Sequence, residues 1–140
     1  MRIKKTSETR PIAGTVVNAY SESQTSAYSC DFINDVLLYD NSSGTTGNVT
    51  LSENASNFRY IEVFVQKSGC YGFIRIFNPN GKQFGIAIHN AYDTTSIQQI
   101  FARYSISGTT MTKEHEVYMN DNGSPTASND VTVMRVIGYK

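Results

Sequence analysis

The sequence predicts an all-β protein, an antiparallel β-sandwich or jelly roll preceded by a short extended or helical N-terminal segment. From residue 36 onward, nearly every apolar run is short, β-branched or aromatic, and bounded by Gly, Asn, Asp or Pro. These runs recur at the spacing of about 8–12 residues that is typical of sandwiches. No run of helical periodicity separates them, so we expect residues 36–140 to form one β-sandwich domain.

Residues 1–35 are more polar and are predicted to be a linker or oligomerisation segment. The stretch from Ala27 to Leu37 has helical spacing, with Thr25 or Ser26 as its N-cap. A helix of about ten residues is marginal in isolation, so it has to dock on something. We therefore expect its apolar side chains to be buried between subunits: Tyr28, Phe32 and Ile33.

Eight strands are predicted in the sandwich domain. They are Val36–Tyr39, Asn48–Ser52, Phe58–Lys67, Tyr71–Phe77, Gln83–His89, Ile97–Ser107, Thr110–Met119 and Val131–Tyr139. Tight hairpin turns are predicted at 68–69, 78–81 and 107–109 from their Gly, Asn, Pro and Ser content. Residues 120–130 are too many for a tight turn and are predicted to form a flexible loop.

Two neighbouring strands are apolar on both faces. Ile61, Val63 and Val65 alternate onto an ordinary core face, as do Ile74 and Ile76 in the next strand. The opposite faces carry Tyr60, Glu62 and Phe64, and then Tyr71, Phe73 and Phe77 around Arg75. Apolar residues on both faces indicate that both are covered. Three alternatives are open: these strands have a different register or position than predicted, the N-terminal segment folds back over them, or they form a subunit interface.

Composition and charge exclude several classes of function. The 140 residues contain 12 Lys+Arg and 12 Asp+Glu, so the chain lacks the basic surface that nucleic acid requires. No run approaches the roughly 20 apolar residues of a membrane helix, and the short run 12–17 is not a signal peptide. We expect neither nucleic-acid binding nor membrane insertion.

No catalytic, metal or cofactor motif is present. His89 and His115 lie on different predicted strands without further ligands at metal-binding spacing. Glu114 and Glu116 have a spacing that is found in solvated strands as often as in glycosidases. Cys30 and Cys70 form no CxxC motif and are expected to stay reduced. We therefore expect a protein without cofactor or metal that is not an enzyme.

The polar residues favour binding over catalysis. The chain has 15 Ser, 14 Thr, 12 Asn and 9 Tyr, which is the composition of saccharide sites, where aromatic rings stack and amides hydrogen-bond. The connection 89–96 contains these types, and we expect it at the end of the sandwich away from the N-terminal segment, where loops are free to meet a host surface. We predict that Tyr92 stacks on a sugar ring while Asn90 and Asp93 accept hydrogen bonds from its hydroxyls. The alternative is an ordinary solvated turn.

Three segments carry a resemblance to a known family. Residues 11–18 read PIAGTVVN, residues 21–34 read SESQTSAYSCDFIN, and the chain closes with RVIGYK at 135–140. The first two resemble a linker in tail-fibre and baseplate proteins of tailed phages and prophages of Gram-positive bacteria. The third resembles the last strand of those proteins. The intervening VLLYDNSSGTTGNVTLSENASNFRYIEVFV is similar to the opening of their C-terminal domains.

The resemblance implies a β-sandwich head on a homotrimer. Such a virion component would be assembled in the bacterial cytoplasm, act in the virion tail beside other tail proteins, and bind host cell-wall polysaccharide or another surface receptor. Two alternatives remain open at this point. One is a purely structural virion component without a receptor site, and the other is a carbohydrate-active enzyme module.

Overall fold

Nine strands and one short 3₁₀ helix make up the part of the chain that the structure describes. The computed structural model describes residues 35–91, 97–121 and 123–140. The elements are β1 (Asp35–Thr45), β2 (Val49–Thr50), the 3₁₀ helix (Ala55–Asn57), β3 (Tyr60–Lys67), β4 (Cys70–Phe77), β5 (Gln83–Ala91), β6 (Ile97–Ser107), β7 (Thr110–Asn120), β8 (Pro125–Ala127) and β9 (Thr132–Tyr139).

The strands form two antiparallel sheets. Sheet 1 has the order β1-β9-β3-β4, and sheet 2 has the order β2-β7-β6-β5, with β8 also paired to β7. This confirms the predicted all-β, antiparallel sandwich class. The described residues contain no α-helix, and thus none that could span a membrane. Tyr28, Phe32 and Ile33 of the predicted helix lie outside them. The last residues of that predicted helix, 35–37, are in strand β1 instead.

The core lies between the inward faces of the two sheets. Ile61, Val63 and Val65 of β3 are fully inaccessible, which confirms the core face predicted for this strand. Alternate residues of sheet 2 meet them because side chains of a strand point to opposite faces in turn. The largest fully buried side chains that sheet 2 contributes are Ile88, Ile100, Tyr104, Ile106 and Met111.

Two of the predicted hairpins are confirmed. Ser68 and Gly69 both have positive φ, 51° and 82°, and join the paired residues Lys67 and Cys70 of β3 and β4. Positive φ at both central positions is typical of the type I′ turn, whose twist matches that of the flanking strands. Residues 108–109 likewise form a two-residue connection, between β6 and β7.

The turn at 78–81 does not form a hairpin, so that prediction was wrong. Its residues connect β4 in sheet 1 to β5 in sheet 2. The reason is where its amides bond: Asn78 N donates to the Arg59 carbonyl, whereas Gly81 N donates to the Ile106 carbonyl in sheet 2, each at 2.8 Å. The turn therefore carries the chain from one sheet to the other.

The two largest differences from the predicted strands are a strand that was missed and a strand that is longer than predicted. Part of the predicted loop at 120–130 is β8, in which Ala127 pairs with Val117. Strand β1 continues to Thr45, six residues beyond its predicted end. Irregular register between β1 and β9 interrupts the alternation of apolar and polar residues, so the periodicity that reveals a strand is lost there.

Candidate binding site

The loop predicted to bind saccharide is described only at its first residues. Asn90, near the end of β5, is half-buried, and its Oδ1 accepts a hydrogen bond from Cys70 Sγ at 3.3 Å. This contact joins β5 of sheet 2 to β4 of sheet 1. Tyr92 and Asp93 lie outside the described residues, so their role as ligand-binding residues stays a prediction.

A different site lies on the solvent-facing side of sheet 2. It is a shallow depression of about 380 Å³ that spans β5, β6 and β7, and we call it the β5–β7 groove. Its volume is at the small end of the range of about 300–1,000 Å³ for small-molecule sites. The outward-facing residues that line it are Gly85, Ala87, Phe101, Arg103, His115 and Val117.

Strand register arranges these six residues in two rows. Gly85 is opposite Arg103, which is opposite His115, so one row ends in two polar side chains. The neighbouring row consists of Ala87, Phe101 and Val117 and is apolar. The two rows are two residues apart along each strand, which is about 6.6–6.8 Å, so one small ligand can touch both rows.

The groove exists because the middle of β5 carries almost no side chain on its outward face, between Gln83 and His89. Gly85 and Ala87 alternate there with the buried Phe84, Ile86 and Ile88. A Cβ added at Gly85 would have only the Ala102 carbonyl oxygen near it, at 4.0 Å. The space above β5 is therefore open, and the side chains of β6 form a wall beside it.

The wall combines an aromatic ring with hydrogen-bonding groups. Phe101 is 39% exposed and offers an apolar ring face. Arg103 is exposed and donates one hydrogen bond to Gln83 Oε1. A guanidinium has five N–H donors, so it has donors beyond the one used for Gln83. His115 is exposed and adds a ring nitrogen at the end of the same row.

Sequence reasoning missed this groove. It treated His115 as an ordinary strand residue and did not consider the outward positions of β5. A usable signal was present, because the strand alternates large apolar residues with Gly and Ala rather than with polar residues. Such alternation indicates an outward face that is open to close approach.

Two glutamates are buried among the described residues. Glu116 accepts hydrogen bonds from the backbone amides of Asp130 and Val131, each at 2.8 Å, and pairs with Lys113 Nζ at 2.6 Å. Burial by itself raises the pKa of Glu116, but the bonds from Lys113, Ser128 and the two amides outweigh it and lower that pKa. Glu116 is thus an ionised carboxylate with both oxygens engaged.

The acidic pair considered from sequence does not share a face. Glu114 is exposed, whereas Glu116 is 6% exposed. The register of β6 and β7 shifts between His115 and Lys113, which places an extra residue in β7 at this point. Because of this bulge, residues two apart no longer point the same way.

The second buried glutamate, Glu62, is on the solvent-facing side of sheet 1. Its carboxylate accepts from Arg75 Nη2 at 2.6 Å and from the Tyr139 hydroxyl at 2.7 Å. Burial raises the pKa of Glu62, but these two bonds and the charge of Arg75 together lower it. The same carboxylate, followed by burial, raises the pKa of Tyr139 to about 12.

No cluster of three His, Cys, Asp or Glu side chains suited to a metal ion occurs within residues 35–91, 97–121 and 123–140. Cys70 carries a free thiol. No family model and no curated protein matches the chain. Its function is therefore inferred from the groove, from the faces of the two sheets and from the motifs at residues 11–34.

Proposed function

We propose that this chain is an attachment module that binds a host cell-surface saccharide as part of a phage or prophage tail fibre or baseplate. The resemblance of residues 11–34 and 135–140 to such proteins supports the assignment to a virion tail. The observation that carries the binding function is the β5–β7 groove, in which an aromatic ring and two polar side chains border a floor made of Gly85 and Ala87.

The groove suits a sugar ring because sugars have one apolar face and a polar rim. The apolar face stacks on Phe101, and the rim hydroxyls hydrogen-bond to Arg103 and His115 in the adjacent row. Gly85 and Ala87 let the ring approach the sheet closely. A groove this shallow binds a single sugar weakly. The homotrimer that the sequence resemblance implies would raise the avidity, because several grooves could engage one polymer.

The test fills the groove while keeping the strand. Gly85→Val places a β-branched side chain in the open space, and β-branched residues favour strands, so folding should be retained. We expect the affinity for purified Gram-positive wall polysaccharide, measured by calorimetry, to fall by about tenfold or more. The melting temperature should not fall.

Gly47→Val is the matched control, because a Cβ at Gly47 meets nothing within 4 Å and this residue is outside the groove. It should bind the polysaccharide as the wild type does. Unchanged binding by Gly85→Val would contradict the groove as the site. No binding by the wild type across a glycan array would contradict the saccharide function itself.

A purely structural virion component is the second candidate function. The observation in its favour is the apolar outward face of sheet 1, where Tyr71 and Phe77 are 73% and 62% exposed. Exposed apolar faces of this kind are typical contact surfaces for other proteins. This candidate predicts that Gly85→Val enters virions normally and that adsorption to host cells is unchanged. The attachment function predicts normal incorporation with reduced adsorption.

A further inference from the structure

Arg103, in the β5–β7 groove, is a cation without an acidic partner. It donates a hydrogen bond to the neutral amide of Gln83 and forms no ion pair with an Asp or Glu in the part of the chain that the structure describes. Arg75 and Arg135 each pair with a carboxylate instead, at 2.6 and 2.7 Å. We propose that the saccharide bound in the groove carries an acidic group, a carboxylate or a phosphate, and that Arg103 binds this group.

The guanidinium of Arg103 retains one complete pair of parallel donors. Its five N–H groups are one on Nε and two on each of Nη1 and Nη2. Gln83 accepts from Nη2 and so occupies one of the two hydrogens there. One hydrogen of Nη2 pairs with that of Nε and the other with one of Nη1, so occupying either leaves the other pair intact. Two parallel N–H groups match two oxygens of a carboxylate or a phosphate.

The side chains that line the groove offer hydrogen-bond donors and almost no acceptors. Only Arg103 and His115 are polar among them; an arginine has no acceptor atom, and a neutral imidazole has one. A sugar hydroxyl donates as well as accepts, so each hydroxyl that leaves water needs an acceptor for its proton. An ionised carboxylate only accepts. The lining therefore suits an acidic group better than it suits one more hydroxyl.

The charges around the groove do not oppose an anion. No Asp or Glu is among the described residues that line it. Glu114 is exposed in the bulge of β7 and has no ion pair with Arg103 or His115 within the described ranges, and Glu116 is buried against Lys113. The outward rows on either side of the groove carry no negative charge: Gln83, Ser105 and Thr112 in one, and His89, Gln99 and Met119 in the other.

The spacing of Phe101 and Arg103 fits an acidic group attached to a sugar ring. Both residues are exposed on the outward face of β6 and are two positions apart, which is about 6.6–6.8 Å. An acidic substituent projects from the edge of a sugar ring. A ring that stacks on Phe101 therefore brings such a substituent into the row of Arg103.

The experiment alters both partners of this contact. Fragments of purified Gram-positive wall polysaccharide, short enough to occupy one groove, are prepared untreated, with carboxylates reduced to alcohols, or with phosphate esters removed by hydrofluoric acid. Calorimetry measures how tightly the wild type and Arg103→Gln bind each form. We expect Arg103→Gln to bind the untreated form about tenfold more weakly than the wild type does. One treatment should abolish this difference, and which one does so identifies the acidic group as carboxylate or phosphate.

Two further variants control for charge and for folding. Arg135→Gln removes the same charge from sheet 1, outside the groove, and should bind every form as the wild type does. Arg103→Lys keeps the charge but lacks the fork of donors, so its affinity for the untreated form should be intermediate. It also tests the contact if Arg103→Gln does not fold, and circular dichroism checks the folding of each variant.

The proposal rests on the attachment function, but the two fail in different ways. Weak binding by Gly85→Val together with full binding by Arg103→Gln would keep the groove as the site and overturn the acidic group. A loss from Arg103→Gln that is equal on all three forms would also overturn it, because Arg103 would then bind neutral hydroxyls. Equal weakening by Arg135→Gln would overturn it as a general effect of charge. A wild type that binds none of the fragments would overturn the attachment function as well.

Discussion

Glu62 and Glu116 are almost equally inaccessible, at 7% and 6% exposure, and both have a lowered pKa. They differ in the parts of the chain to which they hydrogen-bond. The partners of Glu62 are side chains of β4 and β9, which already flank β3 through the sheet ladder. The partners of Glu116 include two backbone amides 14 and 15 residues further along the chain.

The difference shows which carboxylate the fold depends on. Residues 128–131 belong to no strand. The Glu116 carboxylate accepts from the amides of Asp130 and Val131, and the Glu116 backbone carbonyl accepts from that of Ser128. Lys113 assists by donating to the Val131 carbonyl at 2.9 Å and to Asn129 Oδ1 at 3.0 Å. Glu62 adds side-chain bonds to strands that backbone hydrogen bonds already hold. We therefore expect Glu116 to stabilise the fold and Glu62 mainly to neutralise the face on which it lies.

The largest expected effect is from Glu116→Gln. The substitution leaves the buried ammonium of Lys113 without its counter-ion, and breaking a buried pair typically costs about 3–5 kcal/mol. Urea denaturation should show a loss of free energy of unfolding near this range. Glu114→Gln, at an exposed neighbour, should be nearly neutral. A loss for Glu116→Gln as small as that of the control would remove the distinction between the two carboxylates.

Lowering the pH should show that the stability of the wild type depends on ionised Glu116. Since the pKa of Glu116 is lower in the folded chain than its ordinary value of 4.5, its ionised form stabilises the fold above that value. This stabilisation is lost as pH falls below 4.5 and through the folded pKa. The urea midpoint of the wild type should therefore fall as the pH is lowered from about 5 through the folded pKa of Glu116.

Glu116→Gln supplies the control for this pH dependence, because it has no carboxylate at that position. Its urea midpoint should start lower at neutral pH and decline less steeply in acid. Parallel curves for the two proteins would mean that Glu116 is not the group whose protonation destabilises the fold.

Tyr139→Phe tests how much the hydrogen bonds of Glu62 contribute to stability. It removes the 2.7 Å hydrogen bond to Glu62 but keeps the ring that stacks on Tyr60. We expect a loss of about 1 kcal/mol, the usual net value of one hydrogen bond. Tyr71→Phe, at a ring that is 73% exposed, should cost less. A loss from Tyr139→Phe that equals the loss from Glu116→Gln would show that the Glu62 cluster also holds the fold.

The smallest expected effect is a gain in stability. Tyr104 is fully buried beside the Glu116 region, and its hydroxyl has no hydrogen-bond partner among the residues that the structure describes. Burial, reinforced by the charge of Glu116, raises its pKa. Tyr104→Phe removes an unsatisfied polar atom and keeps the ring that stacks on Phe84, so stability should rise by up to about 1 kcal/mol. A lower melting temperature would indicate that the hydroxyl is hydrogen-bonded in solution.

Much of the strand pattern could be predicted from the sequence, because alternation and turn chemistry are local. Strand β6 was predicted with its observed bounds, and the core face of β3 follows from the β-branched residues at 61, 63 and 65. The turn at 68–69 was predictable because Gly readily adopts positive φ. Strand β8 was missed because three residues are too few to show a period.

The sequence by itself determined the fold class, most of the strands and the presence of two apolar faces on β3 and β4. Only the tertiary structure decided that β4 and β5 lie in different sheets, and that Gly85, Phe101 and His115 belong to one groove. It also decided that the bulge in β7 separates Glu114 from Glu116 and leaves Glu116 buried. The physical reason is that alternation within a strand depends on neighbours in sequence. Register, by contrast, is set by backbone hydrogen bonds between strands that are distant in the chain.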